Sequence, residues 1–304
     1  MIEFDKKHDK LAIIAPASGC KDKHGYMDQA KSLQRLQTLI SFFEQNDFQC
    51  SYNKKIFAGD ELEYFAASKA ERIEQLKTAL QDPQVKIIHA FRGGYGCADI
   101  AFDCLDIIPS VPKILIGFSD ITVLHLLFNQ YYKFPSIHGV MDAQKTEMLA
   151  KVISVISGND MKVKLNPLTK SAKDNKLSGE MIGGNLTILC SVIGTKLQPI
   201  TKDKILFIED ISEKGYQVHR HMVHMYRAGL LTDVKGVIFG EFTDSDHCID
   251  ATITSFIEEY LSDIAVYRTD SIGHGMVNHP ITIGALGEIS ANKLTVTSPF
   301  KIIS

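Results

Sequence analysis

Lys113-Ile114-Leu115-Ile116-Gly117-Phe118-Ser119-Asp120-Ile121-Thr122-Val123-Leu124 carries a complete structural transition. Residues 113–117 read as a strand, and Ile114–Gly117 within them form a short apolar run, the pattern of a strand buried on both faces. Gly-Phe-Ser-Asp follows, and the apolar residues from Ile121 to Tyr132 then read as a helix. A strand that passes so directly into a helix is one βα step. Upstream, the same step repeats. Leu11–Ala15 is a buried-strand run closed by Pro16, and residues 27–46 read as a helix with Ala30, Leu33, Leu36, Leu39, Ile40 and Phe43 on its apolar face. Phe48–Tyr52 reads as a strand, 67–81 as a helix, Val85–Ala90 as a strand and 97–106 as a short helix. Repeated βα units predict a parallel sheet with helices on both faces.

Downstream the character changes. Lys145–Ile156 has helical spacing, but Asn166–Asn175 is polar and poor in large apolar residues, which suggests a connection to a second domain. Beyond it, strands are expected at 204–208, 234–239, 264–268 and within 281–297, with helices at 185–193, 216–229 and 251–262. The expected organisation is therefore an N-terminal parallel α/β domain over 1–142, a linker region over 143–178 and a second, smaller α/β domain over 179–304.

Composition excludes several classes. The 304 residues carry 33 basic and 36 acidic groups, a net charge of −3, which argues against a dedicated nucleic-acid binder. No apolar run approaches the ~18 residues of a membrane span, and the first residues lack a signal-peptide pattern. Cys20, Cys50, Cys97, Cys104, Cys190 and Cys248 show no C-x-x-C spacing, so free thiols in a cytoplasmic protein are expected. The one dense histidine cluster, His219, His221 and His224, falls in a helical stretch where His219 leaves the face shared by the other two. It also lacks an H-E-x-x-H pairing, so no metal site is expected.

Four segments are candidates for chemistry. Ser119 sits on a strand-to-helix turn, where it could serve as a nucleophile beside helix N–H groups or simply cap the helix. Phe91-Arg92-Gly93-Gly94-Tyr95-Gly96 follows a strand, and its glycines allow close approach to a ligand; it matches neither phosphate-loop template. Glu209 and Asp210 end an apolar strand and could equally be surface carboxylates. His274, between Gly273 and Gly275, could be a catalytic imidazole or a turn residue.

Taken together, the segments resemble the L,D-carboxypeptidases, the S66 serine peptidases. The resemblance runs through Phe57-Ala58-Gly59-Asp60, Arg72, Phe91–Gly96, Gly117–Thr122, Gly183-Gly184-Asn185-Leu186, Phe207-Ile208-Glu209-Asp210, Tyr216 with Arg220, Gly236–Phe242 and Gly273-His274-Gly275, in order and over nearly the whole chain. His219 departs from the family pattern, which often has Asp there. The resemblance implies a flavodoxin-like or class I amidotransferase-like first domain. It also implies a triad of Ser119 as nucleophile, His274 as base and Glu209 orienting the imidazole. The N–H groups of Asp120 and Gly94 would form the oxyanion hole, and Arg92 and Gly93 would meet the substrate. It implies no cofactor, and hydrolysis of cytoplasmic murein tetrapeptides with release of a terminal D-Ala during peptidoglycan recycling. No nucleic-acid or membrane partner is expected, and a homodimer is a possible assembly. A microcin-resistance branch of the same family, another serine hydrolase and a non-catalytic small-molecule binder are the rival readings.

Overall fold

The computed structural model describes residues 1–173 and 176–303. Asp174 and Asn175, within the expected polar connection, and Ser304 lie outside the described residues. The chain divides into two compact units, one of residues 1–158 with 299–304 and one of residues 159–298.

The first unit runs β1 (Ile2–Phe4), β2 (Lys10–Ile14), α1 (Gln29–Glu44), β3 (Gln49–Tyr52), α2 (Lys69–Gln81), β4 (Val85–Ala90), α3 (Cys97–Ala101), β5 (Ile114–Gly117), α4 (Thr122–Leu127), β6 (Ser136–His138) and α5 (Thr146–Ile156). Its strands lie in the order β3-β2-β4-β5-β6, every pair parallel. This is the flavodoxin-like arrangement, in which the strand order reverses beside the first strand of the sheet, here between β2 and β4. Such sheets offer a crevice at the carboxyl ends of the strands flanking that reversal, and the loops after β2 and β4 occupy those ends. Strands β4 and β5 are almost wholly buried; β5 reads as an unbroken apolar run, and β4 is apolar apart from Lys86 and His89.

Local chemistry sets the helix starts. The Asp28 side chain accepts from the Lys31 N–H to cap α1, and Ser68 caps α2 through the Glu71 N–H. Leu36, Leu39, Ile40 and Phe43 of α1 are buried, whereas Leu33, expected on the same face, is exposed. After α4, Phe128–Tyr132 winds on as a wider π turn and stops at Lys133 in the left-handed region.

The second unit runs β7 (Met161–Lys164), β8 (Asn166–Pro167), α6 (Lys170–Lys173), β9 (Leu177–Asn185), α7 (Leu186–Ser191), β10 (Ile205–Ile211), α8 (Gly215–Arg227), β11 (Gly236–Thr243), α9 (Ile249–Tyr260), β12 (Val266–Arg268), β13 (Ile281–Ile283), β14 (Leu286–Ser290) and β15 (Lys293–Val296). Its mixed sheet has the order β7-β15-β14-β9-β10-β11-β12-β8. The central strands β9 to β12 are parallel, and antiparallel strands flank them. Met181, Phe207, Ile238, Tyr267, Ile283 and Leu294 belong to its core. The last strand, β16 (Phe300–Ile302), returns to the first unit and pairs with β1.

The α/β class with two domains and parallel sheets stands as expected, but the linker over 143–178 does not. Residues 146–156 are α5 of the first unit, and β7 and β8 are strands at the two edges of the second sheet. Residues 169–172 after them are bound in place: Thr169 Oγ1 donates to the Ile264 carbonyl (2.7 Å) and the Tyr267 hydroxyl donates to the Ala172 carbonyl (3.2 Å). Only Asn166 and Pro167 form the edge strand β8; Lys170–Lys173 form the short helix α6 with Lys170 and Lys173 exposed, which accounts for the polar composition that suggested a connection. The second unit also ends before residue 299, because β16 pairs with the chain's first strand.

Candidate active site

In the first unit the site begins at the end of β5. The Gly117 carbonyl accepts from His125 Nε2–H of α4 (3.0 Å), and His125 Nδ1 meets Ser136 Oγ of β6 (2.8 Å). Burial pushes the His125 pKa down to about 4, so this imidazole is neutral and acts as a brace. Phe118 continues the extended backbone, and Ser119 then turns into the left-handed region at φ +65°. An L residue adopts that conformation at a cost. The 3-10 turn Ser119–Ile121 leads straight into α4. The cap reading finds no counterpart here: Phe118 and Ile121 occupy the cap positions, and neither has a side-chain capping bond.

The glycine loop packs on this turn. A Cβ at Gly93 would stand 2.9 Å from Ser119 Cβ and 3.2 Å from Ser119 Oγ. Gly94 has φ +109°, and a Cβ there would lie 2.6 Å from Ser18 Oγ, in the loop after β2. Both positions therefore require glycine, and the loop backbone lies against the serine. Arg92 is partly committed elsewhere, since its Nη1 donates to the Gly19 carbonyl (2.7 Å). Asp120 turns its carboxylate inward and Oδ2 accepts the Cys97 N–H (2.8 Å); burial raises its pKa to about 6.

In the second unit, β10 places Glu209 fully buried and in register with Asn185 of β9. Glu209 Oε2 lies 2.6 Å from His274 Nδ1. Burial raises the Glu209 pKa and the His274 bond opposes it. An ionised carboxylate only accepts, so Nδ1 carries the proton and Nε2 is the basic nitrogen. Asp210 does separate work. It accepts from Asn185 Nδ2 (2.7 Å), Thr187 N–H (3.0 Å) and Thr187 Oγ1 (2.9 Å), and so anchors the start of α7. Neither carboxylate is a surface group.

His274 stands on a loop that crosses β11 closely. The Glu241 N–H donates to the Ile272 carbonyl (2.7 Å), and a Cβ at Gly240 would lie 2.6 Å from that oxygen and 3.1 Å from Glu209 Cβ. Gly273 has φ +145°, and its N–H donates to Asn278 Oδ1 (3.3 Å). Asn278, fully buried, was not singled out in the sequence; an Asn in a loop after a strand gives no local signal of burial.

The histidine cluster lies on α8, where the His219 ring meets the edge of Phe256 at 6.2 Å and burial lowers the His221 pKa. Among the described residues no group of three His, Cys, Asp or Glu side chains is arranged to hold a metal. All six cysteines are free thiols, and no helix among the described residues is long and apolar enough to cross a membrane.

Comparison with known proteins assigns both halves of the chain. Residues 11–139 match the LD-carboxypeptidase N-terminal domain and residues 178–289 the LD-carboxypeptidase C-terminal domain of peptidase family S66. A Rickettsia conorii protein named as a carboxypeptidase is 33% identical over 298 residues, 94% of this chain and 90% of that one. The murein tetrapeptide carboxypeptidase of Pseudomonas aeruginosa is 27% identical over 306 residues and 94% of each chain. The crystal structure of the muramoyltetrapeptide carboxypeptidase from Oxalobacter formigenes superposes with a TM-score of 0.79 at 25% identity, over 96% of this chain and 99% of that one. The microcin C7 self-immunity protein MccF, 16% identical over 97% of each chain with a TM-score of 0.77, shares the fold. By sequence and by fold, the chain belongs to the S66 LD-carboxypeptidase family.

Proposed function

We propose that the chain is a cytoplasmic serine L,D-carboxypeptidase that releases a terminal D-amino acid, typically D-Ala, from murein tetrapeptides in peptidoglycan recycling. The observation that carries the reading is Ser119, held at positive φ where a buried strand meets a helix, with a glycine-only loop packed against it. A strand-to-helix turn of this kind lifts a nucleophilic Oγ clear of the sheet beside backbone N–H groups. Relatives named for murein peptides support the substrate class.

In this reading Ser119 Oγ attacks the carbonyl of the scissile amide and His274 Nε2 takes its proton. Glu209 keeps the His274 proton on Nδ1 and stabilises the imidazolium. The oxyanion forms towards the Gly94 and Asp120 N–H groups. Collapse expels the D-amino acid, whose amine takes the proton from His274, and water then releases the acyl group by the same route. Arg92 and Gly93 are assigned to the substrate, with the guanidinium nitrogens not bound to Gly19 meeting its terminal carboxylate.

The test is mass spectrometry of a free or disaccharide-linked murein tetrapeptide incubated with the protein. Loss of one alanine, with no change in a tripeptide control, is expected. An intact tetrapeptide alongside hydrolysis of an aminoacyl-nucleotide or a simple ester would replace the substrate assignment, and binding without turnover of any of the three would replace the activity.

A further inference from the structure

Two buried, oppositely charged side chains hold opposite ends of one peptide group. The Gly96 carbonyl accepts from Arg72 Nη1 (2.9 Å), and the N–H of the same peptide, on Cys97, donates to Asp120 Oδ2 (2.8 Å). Arg72 is fully buried, although arginine seldom is. Its other bonds run to the Ala67 carbonyl (3.1 Å), the Pro16 carbonyl (3.1 Å) and Asp99 Oδ2 (2.7 Å), and its guanidinium lies 4.0 Å from the centre of the Phe65 ring. It therefore ties the loop after β2, the entry to α2 and the glycine loop to one point. Asp120 ties that same point to the turn that carries Ser119. Gly96 completes the fit: φ is +141°, and a Cβ would stand 2.7 Å from Arg72 Nη1.

We propose that Arg72 and Asp120 are positioning residues: by clamping the Gly96–Cys97 peptide between them, they register the Gly94 N–H against Ser119 Oγ for stabilisation of the oxyanion. The proposal rests on the serine-peptidase reading above. Its physical basis is that charge-assisted bonds are shorter and stronger than neutral ones, and that a cation on the carbonyl and an anion on the N–H orient one peptide dipole from both ends. Oxyanion stabilisation is sensitive to such registration, because a donor must meet the oxygen of the transition state rather than that of the substrate.

The experiment compares Asp120→Ala and Asp120→Asn with the wild type in steady-state hydrolysis of the tetrapeptide and in covalent labelling of Ser119 by a fluorophosphonate. Asp120→Ala removes the acceptor. It should lower kcat about 100-fold, the order of one lost oxyanion donor, and slow labelling in step. KM should stay within about threefold, because ground-state binding is untouched. Asn keeps an acceptor oxygen without the charge, so Asp120→Asn should recover part of that loss, with kcat between those of Asp120→Ala and the wild type. A folded Asp120→Ala with wild-type kcat and labelling overturns the proposal, as does a loss confined to KM or matched by the fraction of protein unfolded. Should Asp120→Ala not fold, Arg72→Lys replaces it: a single ammonium cannot serve Gly96, Pro16, Ala67 and Asp99 together, and the same selective fall in kcat is expected, with unchanged kcat overturning the clamp. Unimpaired turnover by Ser119→Ala is a separate result, and it removes the serine reading itself whatever Asp120 does.

Discussion

In the proposed reading, the two units hold their candidate site residues by different means. Around Ser119 the backbone does the positioning: a left-handed serine, glycines at 93 and 94 that admit no Cβ, and a neutral imidazole bracing the strand end through a carbonyl. Around His274 a side-chain pair does it, a fully buried carboxylate 2.6 Å from a ring nitrogen. A nucleophile and its oxyanion donors need fixed coordinates, which backbone geometry supplies. A base needs a defined tautomer and a partner for its charge, which a carboxylate supplies. The first kind of site should be broken by adding a methyl group, the second by removing a charge.

The largest effect is expected on the side-chain half. His274→Ala deletes the base of the proposed triad, and losses of about 10⁶-fold in kcat are seen when such a residue is removed from an established triad. The double variant Ser119→Ala/His274→Ala should be hardly worse than either single one, since the residues act as a unit. Glu209→Gln should be milder yet severe, about 10⁴-fold, because it disturbs tautomer and charge and leaves the reactants in place. Steady-state kinetics on the tetrapeptide checks all three, and additive losses would separate the roles.

Next comes acid stability, which probes the first unit. His89 of β4 is fully buried with its ring edge on Phe43, and burial lowers its pKa to about 3 from 6.5. The native state refuses a proton that the unfolded chain accepts below pH about 6.5, so stability is lost as pH falls from there towards the folded pKa. Between pH 7 and 4 this amounts to about 3 kcal/mol. His89→Leu should lack this component, so its urea midpoint should fall less than that of the wild type over the same interval. Parallel pH slopes would show that His89 is protonated without penalty.

A smaller effect tests the backbone half directly. Gly94→Ala adds one methyl group against Ser18 at φ +109°. It should lower kcat about 100-fold by shifting an oxyanion donor, with a loss of stability of about 1–3 kcal/mol from the strained φ. Wild-type kcat in this variant would mean that the glycine loop serves folding alone.

Much of this was legible in the sequence, and what was hidden has physical causes. β5 is legible as a continuous apolar run of a strand buried on both faces, and β4 through Val85, Ile87, Ile88 and Ala90 despite Lys86 and His89. β9 carries no plain strand signal. Its Gly183-Gly184 looks like a turn, yet these glycines sit inside a central strand, where a Cβ at Gly183 would overlap the Phe207 carbonyl. β6 lacks an apolar run because Ser136 and His138 are polar, and the buried Ser136 hydroxyl is satisfied by His125. The pairing of β1 with β16 joins the two ends of the chain and leaves no local pattern. At the candidate site, residue identity was readable and conformation was not: a helix cap and a left-handed serine are spelled the same way. Arg72 could be noticed as part of a motif, but its burial and its hold on the glycine loop follow from partners distant in sequence, Pro16, Gly96 and Asp99.

The central claim is that Ser119 is the attacking group. The most direct measurement is tetrapeptide turnover by Ser119→Ala, made after its thermal stability has been matched to the wild type within ~1–2 kcal/mol, since only function should have been removed. Turnover should fall towards 10⁻⁶ of the wild-type value, about the residue of an established triad without its nucleophile. Retention of more than about a tenth of wild-type turnover, far above that expectation, would contradict the account.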